Sequence, residues 1–407
     1  MSIPVTLNEQ QEIIKNQAVH WYLSESSQVF EIDGPAGTGK SVLIKAILDA
    51  LHLRDTEYYA MAYTGQASIV MRTRGFSTAR SIHSTLYEVV EVPTLNDELA
   101  AKFGGVSKRK DFVLRRNIDP RIRLFFIDEA YMVPANMVRD ILSFGIKVIV
   151  AGDAHQLPPV GGDPGFLTGY GVHHLTQLMR QNANSPIVYI ANRAMNGEPI
   201  HCGMYGNDVL VCNDDEFIPQ MIGFVDCVLC GTNKTRELMN HYIRKLAGFD
   251  GLIPRFSERV ICRKNNWNLM AGDISLANGL TGTILNNPDP SGFDGRVFHI
   301  NFKPDLATET FYNVPVNFKY FTGTIDDKNY MKNDINNKWD IGEYFDFAYA
   351  LTTHLAQGSE YLSCMFIEEY LHPQIMNQLI YTGITRAKSK LIYIRKKNKM
   401  FSFPGLN

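Results

Sequence analysis

EIDGPAGTGKSVLIKAIL, residues 31–48, joins an apolar strand to an amphipathic helix across a glycine-rich turn. The turn reads Gly34-Pro35-Ala36-Gly37-Thr38-Gly39-Lys40-Ser41, the G-x-x-x-x-G-K-S spacing of a phosphate-binding loop. Glycines let backbone N–H groups approach phosphate oxygens, and the positive end of the following helix favours the same anion. Lys40 is expected on the β- and γ-phosphates and Ser41 on magnesium. A chance lysine in a glycine-rich turn would need neither the strand before it nor the helix after it. Residues 34–41 are therefore read as a nucleoside triphosphate site, with ATP and Mg2+ as cofactors.

Moving outward, apolar β-rich runs alternate with helical patterns. VFEID (29–33) and YYAMAY (58–63) read as strands, and SVLIKAILDALH and GQASIVMRTR as helices. RLFFID (123–128) and KVIVAG (147–152) are unbroken apolar runs, as strands buried on both faces require. The alternation predicts a parallel sheet in α/β layers. Such sheets bind ligands at the carboxyl ends of their strands. FFIDEAYMV places Asp128 and Glu129 at one of these ends. Asp128 is expected to hold the magnesium ion, and Glu129 to act as general base on the attacking water. VIVAGDAHQLPPV brings Gln156 to the next. An amide donates and accepts, so Gln156 can sense a γ-phosphate. Solvated acids and a polar turn would explain either stretch alone, but not both after a phosphate loop.

The pattern breaks between residues 87 and 120, where proline, paired glycines and the basic runs Lys108-Arg109-Lys110 and Arg115-Arg116 occur. A hairpin is expected near Phe103–Leu114. A second α/β series starts near residue 174: FVDCVLC is a strand, TNKTRELMNHYIRKL a helix, and YLSCMFIEE and KLIYIRK are strands, with a helix over HPQIMNQLIYTGITRAK. Residues 283–345 turn to Asn, Asp, Gly and aromatics with short alternating runs, which favours an antiparallel β insertion. The expected organisation is a first lobe (1–86 and 121–173), a hairpin insertion (87–120), a second lobe (174–282 and 346–407) and a β insertion (283–345).

The chain has 407 residues, 45% hydrophobic and 20% charged, enough for two or three cores. Its formal net charge of −2 neither demands nor excludes nucleic acid, because a local basic groove suffices. The six cysteines are scattered. Cys227 and Cys230 form one C-x-x-C without the second pair that structural zinc would need, so they are read as core thiols. No disulfide framework is suggested, which fits a reducing compartment. The first residues lack a basic-then-apolar signal pattern, and no apolar run approaches about 20 residues, so neither export nor membrane insertion is expected.

Together these stretches resemble a superfamily 1 helicase, and in detail the 1B branch that contains RecD and the phage Dda helicase. The resemblance runs in order along nearly the whole chain. It implies two RecA-like P-loop NTPase lobes, a small hairpin insertion in the first and an SH3-like β insertion in the second, entered through NGLTGTIL (278–285). LNEQQ resembles the adenine-contacting entry motif, with Gln11 in the glutamine position. AYTGQAS and SIHSTL resemble motifs that touch single-stranded DNA, through Thr64 and His83. LCGTNKTRELMN carries the Thr232-Asn233 element, and TTHLAQGSEY supplies Thr353 and His354 for DNA with Gly358 and Glu360 for nucleotide. LTQLMRQN and YTGITRAK place Arg180 and Arg386 where relatives aim arginines at the γ-phosphate. An arginine delivered across a closing cleft contributes roughly 10³–10⁵ in rate. Two positions depart from the pattern: Leu355 stands where Lys is common and Tyr63 where Pro is usual. Both line the DNA path in relatives, so they bear on grip more than on hydrolysis. Phe103 and Phe112 are the candidate strand-separating pins.

The resemblance implies an ATP-dependent DNA helicase moving 5′ to 3′ on single-stranded DNA and opening forked duplex, in replication or recombination. It implies a monomer in the cytoplasm, the host's if phage-encoded, working beside a single-strand-binding protein or replisome component. Two rivals stand beside it: a superfamily 1 RNA helicase, and an ATP-regulated nucleic-acid remodeller that does not unwind.

Overall fold

The computed structural model describes residues 6–24, 27–93, 108–169, 171–179, 185–289, 295–324, 326–328, 331 and 341–396. The first lobe contains β1 (Val29–Asp33), β2 (Tyr58–Ala62), β3 (Arg80–Ser81), β4 (Tyr87–Pro93), β5 (Lys108–Leu114), β6 (Leu124–Asp128), β7 (Lys147–Gly152) and β8 (His173–His174). Six of these make one sheet in the order β3-β2-β6-β7-β1-β8. Every pairing in it is parallel. The apolar run LFFID explains the centre: all five residues of β6 are buried. Leu124 and Phe126 enter the core on one face, and Phe125 and Ile127 the core on the other. That is the period of 2 expected of a strand covered on both sides. The helix Lys40–Ala50 buries Leu43, Ile44, Ile47 and Leu48, a single stripe, against the first of these cores.

Parallel strands end together. Asp33 pairs with Gly152 and Ala62 with Asp128, so the turns after β1, β2, β6 and β7 share one edge. The phosphate loop, Thr64, Asp128 and Gln156 all follow from that edge.

The second lobe repeats the plan. It holds β9 (Gly203–Tyr205), β10 (Val209–Asn213), β11 (Cys227–Cys230), β19 (Ala350–Thr352), β20 (Tyr361–Ile367) and β21 (Ala387–Arg395), in the order β19-β11-β20-β21-β10-β9. Its pairings are parallel except at the β9 edge. Cys227 and Cys230 are buried in β11, and Cys227 pairs with Cys364. Burial pushes the Cys227 thiol up to about 12. These are inert core thiols, and no cluster of three metal-ligating side chains occurs among the described residues.

The β insertion starts earlier than residue 283. β12 (Arg259–Cys262), β15 (Thr281–Ile284), β16 (Val297–Pro304), β17 (Phe311–Asn317) and β18 (Phe345–Phe347) form one antiparallel sheet in the order β17-β16-β15-β12-β18. Between β12 and β15 lies a small hairpin, β13 (Asn266–Ala271) with β14 (Ile274–Leu276). The boundary is missed because RVIC and TGTI are short apolar runs, and such runs look alike in parallel and antiparallel sheets. The expected helix before β21 is also shorter, Met376–Ile384, because the chain re-enters the sheet at Ala387.

β4 and β5 pair antiparallel from Tyr87–Leu114 to Pro93–Lys108, which gives the hairpin insertion. Phe112 faces Val89 in the half nearer the lobe. Its ring meets Trp267 of β13 at 4.6 Å between centroids, and His83 at 6.1 Å. Phe103 lies outside the described residues.

Candidate nucleotide cleft and nucleic-acid face

The two lobes enclose a cleft of ≈ 1310 Å³. Its first wall is the phosphate loop. Gly37 and Gly39 adopt φ of 85° and 80°, the left-handed region that a side chain resists. A Cβ on Gly39 would also lie 2.6 Å from Gln11 Nε2. Lys40 Nζ folds over the loop and donates to Gly34 O at 2.5 Å and Pro35 O at 3.2 Å, while Thr38 Oγ1 donates to Pro35 O.

Gln11 sits behind this wall rather than in it. Its side chain forms a capping box with Asn8, and Nε2 donates to Thr38 O at 3.1 Å. It is fully buried, and the cleft surface here belongs to Thr6, Leu7 and Asn8. Both ends of its amide thus hold the loop and the helix start.

The acidic wall follows β6. Asp128 Oδ1 accepts from Glu129 N at 3.0 Å. Glu129 takes φ 52°, a left-handed conformation that costs a non-glycine residue about 1–3 kcal/mol. Burial, then the charge of Asp128, pushes the Glu129 carboxyl above its ordinary range, against the pull of Arg386, Lys40 and Arg74. A base with a raised pKa is suited to accept a proton from water near neutral pH. Gln156 donates to Asp153 Oδ2 at 3.5 Å, and its Oε1 is buried without a protein partner. Gln156 itself lines the cleft.

Ser41 and Asp128 share one cation already. Arg74 Nη1 lies 3.4 Å from Ser41 Oγ and 3.9 Å from Asp128 Oδ2. A hydroxyl and a carboxylate gathered on one positive charge form a fitting donor set for magnesium, which takes oxygen ligands. Arg74 Nη2 reaches across to Glu360 Oε1 at 2.8 Å, and Lys388 holds the other oxygen at 2.9 Å. Burial opposes the charge of Glu360, but Arg74 and Lys388 overcome it and bring its pKa down to about 2.

The opposite wall comes from the second lobe. Arg386 is 3% exposed and lines the cleft, steadied by Thr382 O, Ser359 O and Thr385 Oγ1 at 3.2, 3.2 and 3.3 Å. Gly358, at φ 75°, faces Ala67 of the first lobe so closely that a Cβ on it would lie 2.6 Å from the Ala67 Cβ. Tyr381, absent from the sequence expectations, crosses the cleft: its hydroxyl donates to Asp153 Oδ2 at 2.6 Å and accepts from Ala36 N at 3.2 Å. Its only signal in the sequence is a tyrosine immediately before TGITRAK, in the helix MNQLIYTGI. Arg180 lies outside the described residues.

The residues expected on nucleic acid divide into two groups. Thr64 and Thr232 are equivalent: each caps the helix after a strand and accepts from the N–H three residues on. Asn233 is exposed beside Thr232. Thr64 is partly exposed at the sheet edge, whereas the Thr232 turn is already satisfied. Glu369, which the sequence reading passed over, accepts from Gly231 N at 2.7 Å, Thr232 N at 2.8 Å, Thr232 Oγ1 at 3.1 Å and Thr235 Oγ1 at 2.6 Å. Thr353 is 0% exposed and donates to Cys230 O, so its side chain serves the fold. His354 is half-buried beside it, and burial lowers its pKa. Burial also lowers that of His83, which packs among Tyr63, Tyr87, Phe112 and Trp267. Burial thus disfavours the charged form of both imidazoles, which suits them to hydrogen bonding or stacking more than to charge neutralisation.

A family model described as an AAA domain matches residues 6–209, half of the chain, and a UvrD-like helicase C-terminal domain matches residues 347–394. The chain belongs to the superfamily 1B helicases. Among its relatives, the ATP-dependent RecD2 DNA helicase of Deinococcus radiodurans is 23% identical over 387 residues, covering 88% of the chain and 46% of that protein. The chain thus spans about half the length of that relative. The ATP-dependent DNA helicase dda of Enterobacteria phage T4 is 26% identical, with 91% of this chain and 95% of the phage protein covered. A Bacteroides Pif1 helicase in complex with ADP-AlF3 and single-stranded DNA superimposes with a TM-score of 0.56 at 17% identity, covering 98% of the chain and 95% of that structure. The Pif1 helicase of Candida albicans gives 0.53 at 17% identity, over 96% and 94%. These two structures show that the chain shares their fold.

Proposed function

We propose that the chain is an ATP-dependent DNA helicase that moves 5′ to 3′ along single-stranded DNA and separates forked duplex. One observation carries the reading. The cleft sets the phosphate loop, Asp128 and Glu129 of one lobe against Glu360, Tyr381 and Arg386 of the other. A nucleotide held there touches both lobes, so its binding and hydrolysis bias their separation. The polarity rests on the family resemblance, and DNA as substrate is supported by the names of the RecD2 and dda relatives.

In this reading the loop amides and Lys40 bind the phosphates, Glu129 takes the proton of the attacking water, and Gln156 orients it. Magnesium, held by Ser41 and Asp128, would neutralise charge on the β- and γ-phosphates. Arg386 completes the charge stabilisation from the second lobe. Thr64 and His83 on one lobe, and Asn233 and His354 on the other, hold the strand, with the rings beside His83 offering stacking worth roughly 1–3 kcal/mol per base. The hairpin stands at the fork. We place the protein in replication or recombination, as a monomer in the cytoplasm, the host's if a phage encodes it, beside a single-strand-binding protein or replisome component. Among the described residues no helix is long and apolar enough to cross a membrane.

The test is ATPase rate with single-stranded DNA, single-stranded RNA and duplex, with Lys40→Ala as control, followed by unwinding of a 5′-tailed fork. Strong stimulation by single-stranded DNA and fork opening support the proposal. Preference for RNA moves it to an RNA helicase. Stimulation without fork opening moves it to a remodeller. An ATPase indifferent to nucleic acid refutes it.

A further inference from the structure

Arg74 is the C-cap of the helix Gly65–Thr73. A cation there would ordinarily meet the negative end of its own helix in solvent. This one turns into the cleft instead, with its side chain 34% exposed. Its two terminal nitrogens do different things. Nη1 faces Ser41 Oγ and Asp128 Oδ2, at 3.4 and 3.9 Å, and Nη2 is bonded to Glu360 of the other lobe at 2.8 Å. Magnesium demands oxygen ligands at about 2.0–2.1 Å. An ion held by Ser41 and Asp128 would need the place that Nη1 takes, and a cationic nitrogen cannot stay there beside it.

We infer that Arg74 is a built-in cation for the magnesium position, holding Ser41 and Asp128 together until Mg2+ enters with nucleotide and then retreating along its bond to Glu360. This rests on the nucleotide reading of the cleft. The chemistry supports it on three counts. Asp128, Glu129 and Glu360 would otherwise crowd three carboxylates around one gap, and a resident guanidinium offsets their repulsion. A guanidinium has five N–H donors, so it can keep Glu360 while it releases Ser41 and Asp128. Glu360 belongs to the second lobe, so the displaced guanidinium remains tied to the wall that closes on the nucleotide. Arg74 is therefore a positioning residue that competes with the metal.

The experiment is a thermodynamic cycle on the full chain, without nucleic acid. Binding of fluorescent mant-ADP is measured in EDTA and in saturating Mg2+, for the wild type, Arg74→Gln and Arg74→Met. In the wild type the two affinities lie within a few-fold of each other, because Arg74 supplies a cation when the metal is withheld. In either variant affinity in EDTA falls by about tenfold, while affinity in Mg2+ is unchanged or higher. The Mg2+ midpoint at fixed mant-ADP moves down in the variants, since the competitor is gone. Equal losses in EDTA and Mg2+ would make Arg74 an ordinary phosphate ligand and overturn the inference, as would no change in either condition. Arg74→Met keeps the aliphatic stem and carries the comparison if the glutamine variant misfolds. A wild type that binds no mant-ADP under any condition overturns the nucleotide reading as well. A wild type that binds it normally but never unwinds DNA leaves this inference standing, so the two failures are distinguishable.

Discussion

Replacing Gly358 by alanine should slow hydrolysis without dismantling either lobe. Gly358 sits at φ 75°, where a Cβ costs about 1–2 kcal/mol. The new Cβ would lie 2.6 Å from the Cβ of Ala67. Carbon atoms rest at about 3.5–4.0 Å, so about 1 Å must be found. Ala67 is buried in the helix Gly65–Thr73 and cannot yield, so the gap opens between the lobes. Arg386 then moves away from Glu129. A misplacement of about 1 Å in a catalytic arrangement costs on the order of 10²-fold, and that is the expected loss in kcat for ATP. The backbone strain alone should lower the melting temperature of the second lobe by about 2–8 °C. Ala67→Gly in the same chain separates the two effects. With its Cβ gone, the next contacts are Ala67 Cα at 3.3 Å and N at 3.6 Å, which a small shift relieves. The double variant should recover most of the rate and none of the melting temperature. Steady-state ATPase and differential scanning calorimetry read both. A Gly358→Ala protein with undiminished kcat, or a double variant as slow as the single one, would refute the steric argument.

Three further outcomes follow from the same structure. Burial and Asp128 raise the pKa of Glu129, so the proposed mechanism expects activity to fall as pH drops through a value above the ordinary carboxylate range; a kcat profile whose acid limb lies at or below that range removes Glu129 from the base's role. Asp346 is buried at ion-pair distance from Arg236 (3.0 Å) and Lys328 (3.1 Å), so Asp346→Asn should cost about 3–5 kcal/mol in denaturant melts near neutral pH. Burial works against the Asp346 charge, but those cations win and depress its pKa, so its contribution is present above the unfolded value and disappears as pH falls through the folded one, where mutant and wild type should converge. Tyr381→Phe keeps the ring but strips a donor from Asp153, a bond to a charged group worth about 1.5–3 kcal/mol, and should lower kcat/KM for ATP by roughly tenfold; an unchanged value would make the cross-cleft bond idle.

What the sequence revealed was local. A strand that ends in Asp128-Glu129 announces both its burial and its edge, because the same apolar run that fills the core delivers the acids to the turn. The phosphate loop is legible for the same reason: Gly37 and Gly39 are demanded by backbone geometry within a few residues. Arg74 and Tyr381 were not legible. Arg74 looks like the usual basic end of a helix, and only Glu360, 286 positions away, shows that it turns inward. Thr353 and Gln11 carry motif residues whose side chains turn out to brace the chain. The start of the β insertion at Arg259 was hidden because an apolar run of four residues fits either kind of sheet.

The contact of Phe112 with Trp267 ties the hairpin of one lobe to the small β13–β14 hairpin of the other half. The chain has three tryptophans. One of them, Trp267, thus stands at a joint between parts that belong to different lobes, while Trp21 is buried in the core of the first lobe. With Trp21 and Trp339 replaced by phenylalanine, the remaining indole becomes an optical gauge of that joint. Its emission would report, in real time and without a dye, when the hairpin parts from the β module during a nucleotide cycle.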